Sequence, residues 1–302
     1  MNSVLITGAT GKSGLYFLKT LADNRDALSD YRFGFIARSR EKEQIIKSYL
    51  PDSRVHIGDL NDGDFAATVF REEKYGVLFH TAGILRSSAI VRAAADSGAG
   101  RLIIVSTTGV YSKYKAAGEA YRQTEKEIME YIKPKGVALT ILRPTMIYGT
   151  LKDNNVSVFL KMADRLRLFP VINGGGYPLQ PVWCGDLGKA YYQVLANPDK
   201  TRNKVYILSG AEPVMLIDML KIISSKLGVK NRFFSVPFPA AYACAWILYA
   251  VTLGKKDYRE KVQRLVEPRA YSHKEAAEDF GYAPVSFEDG VEPLIEEYKK
   301  SR

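Results

Sequence analysis

A glycine-rich loop near the start of the chain limits the folds open to it more than any other feature. Residues 7–14 read Thr-Gly-Ala-Thr-Gly-Lys-Ser-Gly, with a nonpolar run at 3–6 before them and a predicted helix at 13–22 after them. The first glycine allows a tight turn, the second lets backbone amides approach a pyrophosphate, and the third lets the helix pack closely on the strand. Because the N-terminus of a helix attracts phosphate, we predict a dinucleotide site here. Its predicted members are Gly8, Thr10, Gly11, Lys12, Ser13 and Gly14.

Nonpolar runs and helical patterns alternate along the first half of the chain. The runs lie at 3–6, 33–36, 55–57, 76–80, 102–105 and 139–142, and the helical patterns between them at 41–49, 65–72, 87–97 and 116–131. This alternation predicts an α/β protein with a doubly wound parallel Rossmann sheet. We expect the dinucleotide-binding domain at 1–150. A smaller C-terminal α/β substrate lobe is expected at 151–302, with some of its elements returning to the Rossmann core. Helices are expected there at 156–168 and 186–196, a turn at 173–176 and a strand at 205–208.

The chain of 302 residues carries a net charge of +10. Such an excess suits nucleic acid, an anionic membrane surface or a phosphorylated substrate, and a solvated basic surface explains it equally well. No basic block is interleaved with aromatic residues, so we expect no nucleic acid partner. Two cysteines and three scattered histidines lack the spacing of metal ligands, so we expect no metal site. Without a predicted signal peptide, a cytoplasmic protein is expected, with membrane association as the alternative. The oligomeric state is left open.

Residues 236–253 contain no charged side chain. Pro237 and Pro239 shorten the usable helix to 240–253, a length that favours a buried or an interfacial helix over a membrane span. The preferred interpretation is a helix buried in the core. The alternative is a peripheral contact with a membrane or a protein partner, because Lys255, Lys256 and Arg259 follow at once and suit anionic lipid.

The end of the second predicted strand bears on the choice between NAD(H) and NADP(H). An acidic residue there binds the ribose 2′-hydroxyl, whereas a basic residue accepts a 2′-phosphate. The strand runs into Arg38 and Ser39, and the first acidic residue is Glu41. The sequence therefore favours NADP(H), bound through Arg38 with Ser39 or Arg40. The alternative is an arginine that simply faces solvent.

Further motifs follow the glycine loop in a fixed order. They are Gly58-Asp59-Leu60, His80-Thr81-Ala82-Gly83, Val105-Ser106-Thr107, Leu142-Arg143-Pro144 with Ile147-Tyr148-Gly149, and Pro181-Val182-Trp183-Cys184-Gly185-Asp186. Together with the loop, this series resembles the extended and atypical short-chain dehydrogenase/reductase superfamily over nearly the whole chain. The segment from Phe280 to Gly290 resembles the ending of its sugar-nucleotide members.

The resemblance implies roles for several residues. Asp59 and Leu60 would contact the adenine, and the loop formed by Thr81, Ala82 and Gly83 would line the adenosine side of the site. Thr107 would be the active-site hydroxyl that binds a substrate oxygen. In addition, Pro144 and Thr145 would lie near the nicotinamide.

The chain departs from the superfamily at the catalytic pair, a tyrosine with a lysine four residues later. Members also carry a glutamate four residues after that lysine, and Glu125 stands 18 residues before Arg143, as theirs does. This alignment places Ala117 at the tyrosine position and Tyr121 at the lysine position, where the Tyr121 hydroxyl could bind the ribose.

One literal Tyr-x-x-x-Lys sequence remains, at Tyr111 and Lys115. It is either a relocated catalytic pair, a contact to substrate or phosphate, or an ordinary loop tyrosine with a surface lysine. A relocated pair would exchange a proton with the substrate oxygen during hydride transfer.

Two functions compete at this stage. The first is an NADP(H)-dependent reductase, or an epimerase or dehydratase, acting on a nucleotide-linked or lipid-linked sugar or a similar carbonyl or hydroxyl substrate. The second is a non-catalytic dinucleotide-binding sensor or accessory subunit, which the departure at Ala117 and Tyr121 favours.

Overall fold

The computed structural model describes residues 2–114 and 116–301. Most strands of its main sheet carry mostly buried side chains, as expected for runs rich in β-branched and aromatic residues. The strands are β1 Asn2–Thr7, β2 Tyr31–Ala37, β3 Arg54–Ile57, β4 Val77–His80, β5 Arg101–Val105, β6 Ala138–Pro144, β7 Ile147–Tyr148, β8 Leu168–Ile172, β9 Pro178–Leu179, β10 Val182–Trp183, β11 Val205–Leu208, β12 Val214–Met215 and β13 Arg232–Val236.

Helices connect these strands and cover both faces of the main sheet. They are α1 Lys12–Asp23, α2 Arg40–Tyr49, α3 Gly63–Glu72, α4 Ser88–Asp96, α5 Gly118–Ile132, α6 Val156–Arg165, α7 Cys184–Ala196, α8 Pro198–Thr201, α9 Leu216–Leu227, α10 Phe238–Val251, α11 Arg259–Leu265, α12 Lys274–Phe280, α13 Phe287–Gly290 and α14 Glu292–Lys300.

Within the described residues, the main sheet has seven parallel strands in the order β3-β2-β1-β4-β5-β6-β11. The chain moves outward in one direction from β1 to β3, then returns to β4 and moves in the other direction. This reversal between β1 and β4 is the topological switch point at which doubly wound sheets bind ligands. The predicted fold class is therefore confirmed.

The sheet is packed on both faces, and β1 shows how its sequence achieves this. Val4 and Ile6 pack on the side of α1 and α7, whereas Leu5 packs on the side of α3, α4 and α5. Successive side chains of a strand point to opposite faces. A strand that is covered on both faces therefore reads as an unbroken nonpolar run.

The second half of the chain builds a third nonpolar cluster, around α6, α9 and α14. It also returns to the main sheet, because β11 pairs with β6 and α7 packs along α1. Of the small two-stranded sheets, β7 with β10 links the two parts, whereas β8 with β13 and β9 with β12 lie within the second half of the chain. The division at residue 150 stays a prediction.

Most predicted elements begin and end within two residues of the observed ones. The exception is the helix predicted at 156–168. That helix ends at Arg165, and Leu168 already belongs to β8. Leu166 is extended, and β8 pairs in parallel with β13 from a distant part of the chain. The 3.6-residue pattern alone could not reveal this pairing, since it depends on a remote strand.

The preferred prediction of a buried helix at 236–253 is wrong. Residues Phe238–Val251 do form α10, but Ala245 is its one buried residue. Ile247 is 62% exposed and Val251 is 76% exposed. A run of nonpolar side chains favours removal from water, but α10 packs mainly on α11, a helix of seven residues that covers only part of it.

No helix among residues 2–114 and 116–301 is both long enough and apolar enough to cross a bilayer.

Candidate functional site

The glycine loop joins β1 to α1 at the switch point of the sheet. Gly8 has a φ of +75°, and a Cβ there would lie 2.7 Å from the backbone nitrogen of Ala82. A Cβ on Gly14 would lie 2.1 Å from the carbonyl oxygen of Gly8. The loop therefore fits tightly between β4 and α1, and larger residues would push it out of place.

The first turn of α1 leaves backbone donors available for a phosphate group. The hydrogen bond from the Leu15 amide to the Gly11 carbonyl closes this turn at 2.9 Å, so the amides of residues 12–14 precede the helical hydrogen-bond pattern. The turn also contains no acidic residue. These amides and the positive end of the helix dipole fit a pyrophosphate.

A cleft of about 350 Å³ opens along the carboxyl ends of β1, β2 and β4. Its lining joins the glycine loop to the loops after β2, β3 and β4. The lining residues are Gly8, Thr10, Gly11, Ile36, Ala37, Arg38, Lys42, Asp59, Leu60, Asn61, Thr81, Ala82 and Arg86.

Three cations are among the residues that line this cleft: Arg38, Lys42 and Arg86. The carboxylate of Asp59 accepts hydrogen bonds from the amide and side chain of Asn61. Sequence reasoning missed Lys42 and Arg86. Lys42 lies on the first turn of α2 and Arg86 in a 3₁₀ turn after β4, positions that no spacing rule links to Arg38.

A buried histidine fixes the loop after β4. The His80 Nδ1 atom lies 2.8 Å from the Thr7 hydroxyl, and Nε2 lies 3.1 Å from the Gly83 carbonyl. Burial lowers the pKa of His80 to about 4, so the ring is neutral near pH 7. The Thr81 hydroxyl donates to the Thr7 carbonyl at 2.8 Å. His80 thus ties the ends of β1 and β4 together under the cleft.

A second cavity, of about 260 Å³, lies on the other side of the α1 N-terminus. It combines residues of the loop after β5 with residues from the second half of the chain. The lining residues are Lys12, Thr107, Thr108, Gly109, Ser112, Thr145, Met146, Ile147, Asn155, Leu179, Gln180, Arg264 and Arg269.

The Thr107 hydroxyl caps the 3₁₀ turn that follows β5. Its oxygen accepts a hydrogen bond from the Gly109 amide at 3.0 Å. A hydroxyl has one proton to donate and two lone pairs, so this cap leaves the Thr107 proton available to an oxygen in the second cavity. The neighbouring Thr108 hydroxyl donates to the Pro144 carbonyl, which occupies its proton.

The second cavity is strongly basic. Lys12, Arg264 and Arg269 line it, and the Nε atoms of both arginines are buried without a hydrogen-bond partner among the described residues. Burial lowers the pKa of Arg269 to about 10. Arg264 also forms an ion pair with Glu260 at 3.9 Å, so the two Nε–H groups are the buried donors that still lack an acceptor. Buried donors without partners are costly, so this cavity fits an anionic ligand. Sequence reasoning missed Arg264 and Arg269, which lie more than 150 residues after Thr107 in the chain.

Glu125 and Arg143 form a buried ion pair beneath the loop after β5. Arg143 donates to Glu125 through Nη2 and through Nε, and the Ser106 hydroxyl donates to Glu125 at 2.5 Å. Burial alone would lower the pKa of Arg143, but the hydrogen bonds and charge of Glu125 raise it. Arg143 also donates to the Tyr111 oxygen at 2.5 Å. The observed cationic partner of Tyr111 is therefore Arg143.

The two candidate positions for an acid–base tyrosine differ in their surroundings. Tyr111 is 47% exposed and its ring packs beside that of Tyr271 at 5.6 Å. Tyr121 is half-buried on α5 and contacts the nonpolar cluster on its side of the sheet. Lys115 lies outside the described residues.

The predicted site residues fall into three groups. Gly8, Thr10, Gly11, Arg38, Asp59, Leu60, Thr81 and Ala82 line the first cleft, and Lys12, Thr107 and Thr145 line the second cavity. Ser13, Gly14, Ser39, Gly83, Pro144, Tyr111 and Tyr121 line neither.

Three residues of the last group have other contacts. The Ser13 hydroxyl accepts a hydrogen bond from Tyr191 between α1 and α7. The Ser39 hydroxyl donates to Glu41 at 3.1 Å. The Pro144 carbonyl accepts from Thr108. Because the Ser13 hydroxyl is the acceptor in its contact, it keeps a proton to donate, and the amides of Ser13 and Gly14 belong to the first turn of α1.

The glycine loop at the switch point, together with a cleft that reaches Arg38, defines a Rossmann-type dinucleotide-binding protein. A family model described as NAD(P)H-binding matches residues 8–164. The chain belongs to this NAD(P)H-binding family.

Several known proteins and solved structures are similar to most of this chain. A 2-alkyl-3-oxoalkanoate reductase of Stenotrophomonas maltophilia is 22% identical over 72% of this chain and 74% of its own. A UDP-glucose 4-epimerase of Vibrio cholerae is 21% identical over 93% of this chain and 90% of its own. The crystal structure of UDP-glucose 4-epimerase with UDP-glucose from Thermotoga maritima has a TM-score of 0.74 at 17% identity and covers 99% of both chains. The resemblance to the epimerase, dehydratase and short-chain dehydrogenase/reductase superfamily is confirmed.

Proposed function

We propose that this protein is an NADP(H)-dependent oxidoreductase that acts on a carbonyl or hydroxyl group of a small anionic substrate. The observation that carries the proposal is the second cavity, in which Thr107 faces the same space as Lys12, Arg264 and Arg269. Reductases and epimerases among the relatives support this reaction class. A carboxylate, a phosphate or the diphosphate of a sugar nucleotide would satisfy the cations.

The residues would divide the work as follows. The amides at the start of α1 hold the pyrophosphate, and Arg38 holds the 2′-phosphate. The bound cofactor supplies hydride transfer at the nicotinamide. Lys12, Arg264 and Arg269 orient the substrate, while Thr107 donates a hydrogen bond to its reacting oxygen. Tyr111 is the candidate proton donor, because its oxygen accepts from Arg143 and its own proton therefore remains available.

The activity itself can be tested with two substrates taken from the relatives. A reductase consumes reduced cofactor when a 2-alkyl-3-oxoalkanoate is added, and the loss of nicotinamide absorbance measures it. An epimerase converts UDP-glucose to UDP-galactose without net cofactor consumption. NADPH binding with neither reaction would favour the binding-module alternative, which Ala117 and Tyr121 at the usual catalytic positions support.

Thr107→Val is expected to lower kcat/KM roughly 100- to 1000-fold, because it removes a donor aimed at the charge that develops on the substrate oxygen. Steady-state kinetics on the substrate identified above would measure the loss. Thr124→Val on the exposed face of α5 is the matched control, since its hydroxyl donates to the Ala120 carbonyl away from the site. Similar activity of Thr107→Val and wild type would remove Thr107 from the mechanism.

Tyr111→Phe is expected to lower kcat roughly 100-fold or more if Tyr111 supplies the proton, which is the usual contribution of a general acid. Tyr114→Phe, on the same loop and also exposed, serves as the control. Unchanged turnover would identify Tyr111 as a loop contact and leave Thr107 and the three cations of the second cavity as the functional groups.

A further inference from the structure

Helix α10 presents nonpolar side chains on nearly all of its sides. Ala245 alone among its residues is buried, whereas Trp246, Ile247, Leu248 and Val251 are all exposed. Leu253, just after the helix, is 89% exposed. Soluble monomers rarely expose contiguous nonpolar patches of this kind, and such patches mark sites of contact.

Basic residues predominate in the sequence on both sides of α10. Residues 219–256 contain six basic side chains and no acidic one. Lys255 and Lys256 follow the helix directly and are exposed, as is Lys261 on α11. None of these three lysines forms an ion pair with another described residue. A nonpolar surface bordered by unpaired lysines matches an anionic lipid surface in both polarity and charge.

Arg259 fixes α10 against α11. Its guanidinium carbon lies 4.1 Å from the ring centre of Trp246 and 3.9 Å from that of Tyr249, and Asp257 pairs with it at 2.7 Å. Cation–π contacts of this kind are stabilising. The exposed nonpolar side chains of α10 are therefore held in place on the body of the protein.

The length of α10 decides how it can meet a bilayer. Fourteen residues make a helix about 21 Å long, which is shorter than the roughly 30 Å hydrocarbon core. The helix can lie in the plane of the interface, where Trp and Tyr side chains are enriched.

We propose that α10 and the lysines that follow it dock this protein on a bilayer that contains anionic phospholipids. Ile247, Val251 and Leu253 enter the boundary between headgroups and acyl chains. Lys255, Lys256 and Lys261 contact lipid phosphates. This inference does not depend on the reaction proposed above.

Flotation of the full chain with lipid vesicles tests the proposal. At low salt, the protein should float with vesicles of phosphatidylcholine and phosphatidylglycerol, and much less with pure phosphatidylcholine. Each lysine near an anionic surface contributes about fivefold in binding, so Lys255→Gln with Lys256→Gln should weaken it about 25-fold. Lys19→Gln with Lys126→Gln, two exposed lysines on other helices, should have no comparable effect.

Ile247→Glu with Val251→Glu should abolish binding. Met129→Glu, an exposed nonpolar residue on α5, is the matched control. Trp246 is a built-in reporter, because its fluorescence should shift to shorter wavelength with anionic vesicles and Trp246→Phe should lose that shift.

Several results would overturn the proposal. These are an absence of flotation with anionic vesicles, equal loss in the Met129→Glu control, or an unchanged Trp246 spectrum in floated protein. Sedimentation that shows a dimer dissociated by Ile247→Glu with Val251→Glu, without vesicle binding, would instead assign α10 to an interface between two copies.

Discussion

Arg38→Ala is expected to weaken NADPH binding by roughly 10- to 100-fold, the usual loss of a hydrogen bond to a charged group. NADH binding should change by less than about threefold, a difference below about 1 kcal/mol. NADPH carries an additional 2′-phosphate, and Arg38 is one of three cations that line the first cleft. Parallel titrations of both cofactors against wild type and variant, by calorimetry at fixed salt, would measure the two losses.

Equal weakening of NADPH and NADH binding would contradict the 2′-phosphate assignment, because it would indicate a contact with a group that both cofactors share. Arg25→Ala is the matched control, because this exposed arginine pairs with Asp52 and does not line the cleft. The same titrations on Lys42→Ala and Arg86→Ala would show which of the three cations contacts the phosphate. Wild-type preference for NADPH should also fall as salt rises, since exposed charges are screened.

The sequence could predict the parts of this protein that depend on local pattern. The glycine loop and the nonpolar runs of β1 to β6 have a local physical signature, because a strand buried on both faces must be nonpolar throughout. The first cleft follows from the parallel order of these strands, since the loops at the carboxyl ends of neighbouring parallel strands lie at the same edge of the sheet. Eight of the predicted residues line that cleft.

Other features depend on contacts between distant parts of the chain. Arg264 and Arg269 reach the second cavity only because the C-terminal segment packs back beside β9, where Arg269 bridges to Leu179. Helix α10 gave a misleading signal, because a nonpolar composition shows that a helix avoids water but not whether protein or lipid covers it. Lys12 was assigned to the cofactor by its motif, whereas the structure places it in the second cavity.

Glu125→Gln is expected to lower the free energy of unfolding by roughly 3–5 kcal/mol, the cost of leaving a buried charge without its partner. The Glu125 side chain is 4% exposed and that of Arg143 is 16% exposed. A neutral amide would leave the Arg143 guanidinium without a balancing charge in this setting. Urea denaturation followed by circular dichroism would measure the change, provided that the slope of the transition stays constant.

Glu119→Gln supplies the control for this pair. Glu119 pairs with Arg122 on the same helix, but these side chains are 79% and 49% exposed, so the expected loss is below about 1 kcal/mol. Similar losses of unfolding free energy in the two variants would show that the Glu125–Arg143 pair does not stabilise the fold as its burial indicates.

Combining Glu125→Gln with Arg143→Met should restore part of the stability, because the double change removes the unpaired charge. That double variant would also free Tyr111 from Arg143, so a fall in turnover beyond that of Glu125→Gln alone would link Arg143 to the reaction as a positioning residue.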